Sequence, residues 1–132
     1  SLSEDVMIVA LFKHITELMT FWDVPTEKEG YTIKDVVRTP DEYGAGMGEN
    51  GVDQIVDGGN VSITLIPNKK DGKDGVLETL TIFGTNCLPK NKKYPVVASN
   101  KSEITVVENE DGSVRVTIAN VKADIEVDAA VH

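Results

Sequence analysis

The chain has 132 residues, 40% of them hydrophobic and 27% charged, with a formal net charge of −9. That is the size and composition of one globular domain, large enough for a core without disulfide staples and too apolar to stay disordered. The acidic balance argues against a free nucleic-acid-binding domain, which carries a basic footprint with aromatics among the cations; here Tyr94 alone stands near the lysines. Cys87 is the only cysteine, so an intramolecular disulfide is excluded. The longest apolar run, Val6 to Phe12, has seven residues, well short of the roughly 18–20 that a membrane-crossing helix needs.

The charge is unevenly spread. Residues 39–67 carry five acids and no base. Residues 68–101 carry seven lysines against three acids, and residues 102–132 carry seven acids against two bases. The middle of the sequence is therefore basic between acidic flanks.

Ile8, Leu11, Phe12, Ile15, Leu18, Met19 and Trp22 recur at steps of three and four, the spacing of one helix face. With Ser3 as N-cap, Glu4 and Asp5 in the first turn and Pro25 beyond the end, the pattern predicts an amphipathic helix over about 4–22. Such a helix must bury its stripe on its own sheet or on another molecule. Tyr31 to Val37 reads as a first strand. Residues 39–60 read as a long glycine-punctuated loop, with a short turn of helix or a strand at Val52 to Val56. A loop of that length is a natural place for a binding surface.

Beyond residue 60 the period is two. Val61, Ile63 and Leu65 alternate with Ser62 and Thr64, and the run from Lys69 makes a turn. Val76 to Phe83 is apolar on both faces, as a central strand is. Tyr94 to Ala98 is a short strand. Glu103 to Glu108 and Ser113 to Ala119 flank Asn109-Glu110-Asp111-Gly112, the clearest hairpin signal in the chain. The apolar phase slips at Ala119-Asn120, so a turn or bulge belongs there before Val121, Ala123, Ile125 and Val127. The whole predicts one α+β domain spanning 1–132, an N-terminal amphipathic helix packed on an antiparallel β-sheet or small sandwich of five to seven strands, those strands lying over about 61–128.

The chemistry-bearing residues form no catalytic constellation. Gly46-Met47-Gly48-Glu49-Asn50-Gly51 matches G-x-G-x-x-G, but no buried strand precedes it, no helix follows, and the acidic surroundings repel a pyrophosphate. Asp71 and Asp74 with Asn68, and Asn109, Glu110 and Asp111, are oxygen-rich turns without the ligand order of a calcium loop. His14 and His132 are the only histidines. Lys90, Lys92 and Lys93 near Cys87 favour its thiolate, although a half-buried structural cysteine is the plainer reading. No cofactor or metal is expected.

The leading expectation is a non-catalytic protein-interaction or assembly module, fitting a bacterial surface, secreted, pilus-like or virion subunit more than a cytoplasmic one. Its partner is a protein or a second copy. The expected surface comprises Trp22, Tyr43, Lys69, Lys70, Lys73, Lys90, Lys92 and Lys93. Two alternatives stand beside it: an acidic intracellular inhibitor or immunity-type protein docking on a basic partner, and a small-ligand-binding or enzymatic domain with a pocket between helix and sheet.

Overall fold

The computed structural model describes residues 19–132. Within them run ten strands: β1 (Phe21–Asp23), β2 (Tyr31–Thr39), β3 (Gln54–Val56), β4 (Asn60–Pro67), β5 (Leu77–Ile82), β6 (Thr85–Asn86), β7 (Val96–Val97), β8 (Glu103–Glu108), β9 (Val114–Ala119) and β10 (Val127–Val131). They form a five-stranded sheet in the order β2-β4-β9-β8-β7, a three-stranded sheet β10-β5-β6 and a ribbon β1-β3, all antiparallel.

The α+β expectation is overturned. Among the described residues the only helical element is a three-residue 3-10 turn, Glu49–Gly51, and the described region is nearly all β, in three antiparallel sheets. Trp22, the last residue of the expected helix, lies in β1 opposite Ile55. Residues 4–18 of that helix, with His14, lie outside the described residues. At its described end, Trp22, the stripe misleads because aromatic and β-branched residues fit a pleated surface as well as a helix face. Here the apolar partner strand Gln54-Ile55-Val56 captures Phe21 and Trp22, and Ile55 is fully buried. The described strands number ten rather than five to seven, and the last ends at Val131 rather than near 128.

Period-two patterning builds the core. In β4, Val61, Ile63 and Leu65 point inward, opposite Ile118, Val116 and Val114 of β9. Ile104 and Val106 of β8 continue the same rows. Leu77, Leu80 and Ile82 of β5 and Val127 of β10 join them in one buried cluster, as the inner faces of a two-sheet sandwich do. Leu77 and Leu80 both face inward, although they are three apart, because the register against β10 shifts by one residue between them. β5 is the central strand of its sheet, between β10 and β6.

The turns follow local chemistry. Asn109 N–H bonds to Ser113 O, and Gly112 takes a positive φ of 88°, closing the expected hairpin. Asn120 stands at φ 59°, ending β9 where the sequence phase slips. The Val121 to Ile125 stretch beyond it is a connection rather than a strand. Val121 exchanges main-chain bonds with Gly58 and Gly59, and Ile125 N–H bonds to Asp23 O.

Arg38 anchors the end of β2. A bulge interrupts its pairing with β4 between Lys34 and Val37, with Asp35 at φ 53°. Past the bulge, Arg38 stands opposite the inward-facing Val61. Its guanidinium donates to Tyr43 O at 2.8 Å and Gln54 O at 3.1 Å, tying the glycine-rich loop to the sheet.

Candidate interaction surface

The expected surface residues divide between two ends of the sandwich. The β4–β5 connection turns at Lys70-Asp71-Gly72-Lys73, where Lys70 and Lys73 exchange main-chain hydrogen bonds at 2.9 and 3.1 Å. Asp71 and Gly72 take φ values of 54° and 75°, the left-handed pair that a tight two-residue hairpin demands. The oxygen-rich run is thus a turn, and it sets two lysines side by side at an exposed tip. Like charges directly opposite are unfavourable across a ribbon, so the pair is no stabilising device.

Below the tip, Lys69 and Lys90 line one open cleft of about 430 Å³ together with Asp74, Glu108 and Asp111, over Ile66, Pro67 and Leu77. Lys90 reaches Glu108 at 3.0 Å. Lys93 stands 5.5 Å from the ring centre of Tyr94, which is 72% exposed. Lys92 lines a crevice with Cys87 and Tyr94. Cys87 itself is buried, and burial pushes its thiol pKa up more than the Ile82 main chain and the Lys92 charge pull it down. Both the burial and the raised pKa disfavour the thiolate that a nucleophile needs.

Trp22 and Tyr43 belong to the other end. Trp22 Nε1 donates to Asp57 Oδ1 at 2.9 Å, and Lys122 Nζ donates to Asp57 Oδ2 at 3.1 Å. These two hydrogen bonds hold the Asp57 carboxyl below its ordinary range. Tyr43 lies in the glycine-rich loop with its carbonyl on Arg38. Gly44 is the glycine that this loop cannot replace: at φ 108° its Cβ position lies 2.2 Å from Gln54 O. The G-x-G-x-x-G run leads only into the 3-10 turn Glu49–Gly51, without the strand and helix of a dinucleotide site.

The sequence reading missed a groove of about 310 Å³ lined by Asp23, Glu49, Asp124 and Glu126, with Lys28 as the one base among the lining residues. Three separate acidic segments build it. Asp23 is fixed by Gln54 Nε2 at 2.7 Å, and Asp124 accepts the Asp23 N–H at 2.8 Å. The signal was present as the acidic runs at 39–67 and 102–132, but their convergence is a tertiary fact. β10 spans the distance between the two ends. Its first residue, Val127, lines the acidic groove, and its last, Val131, packs beneath Gly75 at the base of the lysine hairpin.

Comparison with protein-family profiles, with curated proteins and with solved structures finds no match to this chain. Among the described residues no three His, Cys, Asp or Glu side chains are placed to hold a metal ion, and no helix is long and apolar enough to cross a membrane.

Proposed function

We propose that this protein is a non-catalytic assembly module whose copies associate end to end through opposite charges. The observation that carries the reading is the separation of an exposed Lys70/Lys73 hairpin tip from a groove lined by four carboxylates at the far end of β10. A lysine tip on one copy and an acidic groove on the next make a heterologous contact, and such contacts propagate into rings or filaments. Opposite potentials also accelerate encounter and fix orientation.

The same groove supports a second reading, an acidic protein docking on a basic partner of another kind. Charge reversal separates the two. Lys70→Glu/Lys73→Glu and Glu49→Lys/Glu126→Lys use exposed residues and leave the Asp23–Asp124 and Asp23–Gln54 bonds in place. In the self-assembly reading each variant alone associates less than the wild-type chain, and an equimolar mixture regains association because acidic tips then meet basic grooves. Association of either variant alone at the wild-type level contradicts that reading.

A further inference from the structure

We propose that the outer edge of β2 accepts residues 6–13 of a second copy as an added strand, an inference that rests on the reading that copies associate. β2 is the terminal strand of the five-stranded sheet. Asn68 N–H bonds to Gly30 O, and the antiparallel ladder alternates from that pair, so Ile33 turns its main-chain N–H and C=O away from β4. Ile33 also lines a groove of about 440 Å³ with Val24, Pro25 and Val36, whose charged lining residues are Glu27 and Asp53. Val36 and Val37 are 37% and 52% exposed on this edge. An apolar trough along backbone groups that no described strand pairs is the geometry of strand addition, in which main-chain bonds supply affinity and side-chain pockets supply register.

The occupant follows from the sequence. Val6-Met7-Ile8-Val9-Ala10-Leu11-Phe12 is the longest apolar run in the chain, and Lys13 follows it directly. It lies outside the described residues. A seven-residue run rich in β-branched residues suits a strand as well as a helix. Its length matches an edge strand, its apolar side chains match Val24, Ile33 and Val36, and Lys13 complements Glu27 and Asp53. Acceptance from a second copy at β2 would add a salt-insensitive component to the charged contact between ends.

A photocrosslinking residue, benzoylphenylalanine, placed at position 36 of the full chain tests this with an equal mixture of ¹⁴N- and ¹⁵N-labelled protein. The expected result is mixed-isotope crosslinks from position 36 to residues 6–13, lost when Ile8→Asp is introduced into the chain. Crosslinks to 6–13 within one isotope only, crosslinks to other segments, or none to 6–13 overturn the inference. The mass of the same sample, read by light scattering, keeps the two readings apart. An oligomer without these crosslinks removes strand addition alone, and a monomer removes the assembly reading with it.

Discussion

The Arg115 guanidinium crosses β4 from β9 to donate to Asp35 O at 2.7 Å and to Thr64 Oγ1 at 2.8 Å. One side chain thus holds the bulge of β2 against the sheet and satisfies a hydroxyl that is nearly buried. Hydrogen bonds from a charged donor contribute about 1.5–3 kcal/mol, so Arg115→Met should lower unfolding stability by roughly that amount in urea titrations. Both bonds leave one nitrogen, Nη1, so Arg115→Lys should recover part of the loss, limited by the different reach of its ammonium. A loss below the error of the titration would show that the bulge holds itself.

Gly44 and Gly51 both have positive φ, at 108° and 75°, but differ in what surrounds them. A Cβ at Gly44 meets Gln54 O at 2.2 Å, whereas one at Gly51 meets nothing within 4 Å. Gly51→Ala should therefore cost only the left-handed strain of about 1–2 kcal/mol. Gly44→Ala adds overpacking of about 1–3 kcal/mol. Thermal unfolding of the two variants side by side checks the order, and equal losses would contradict it.

Trp22 is the only tryptophan, so its fluorescence reports its contact with Asp57 without interference. The folded Asp57 carboxyl titrates below its ordinary value because Trp22 and Lys122 donate to its ionised form. The stabilisation is thus present above the unfolded carboxylate range and is lost as pH falls through the lowered folded value. Emission should change with a midpoint below about pH 3.9, the unperturbed carboxylate value. In Asp57→Asn that transition should be absent. A midpoint above the unperturbed value in the wild-type chain would show that the indole does not favour the carboxylate.

Cys87 is 1% exposed and its thiol pKa is raised, chiefly by burial. Native protein should react with a thiol-specific disulfide reagent at pH 8 only as fast as the site opens, and denaturant should bring rapid, complete reaction. Fast labelling of the folded chain would place the sulfur outside the core.

Legibility in the sequence tracked the range of the interaction. The Asn109–Gly112 hairpin, the β4 alternation and the phase slip at Asn120 rest on neighbours within a few residues, and each was readable. The β1–β3 ribbon joins Trp22 to Ile55 across the glycine-rich loop, and no local signal announces that pairing. No local signal in the sequence marks Arg38 or Arg115 as an anchor. Only the bulge and the packed loop reveal what they hold. Of the candidate surface, the lysines were legible as a basic run, whereas the acidic groove required Asp23, Glu49 and Asp124 to meet from distant segments.

End-to-end association through the lysine tip and the acidic groove is the central claim, and the solution mass of the chain tests it most directly. Light scattering after size exclusion should show oligomers at low ionic strength. They should shrink as salt is raised to about 1 M, where screening acts over about 3 Å. A monomer at low and high salt alike would contradict the account.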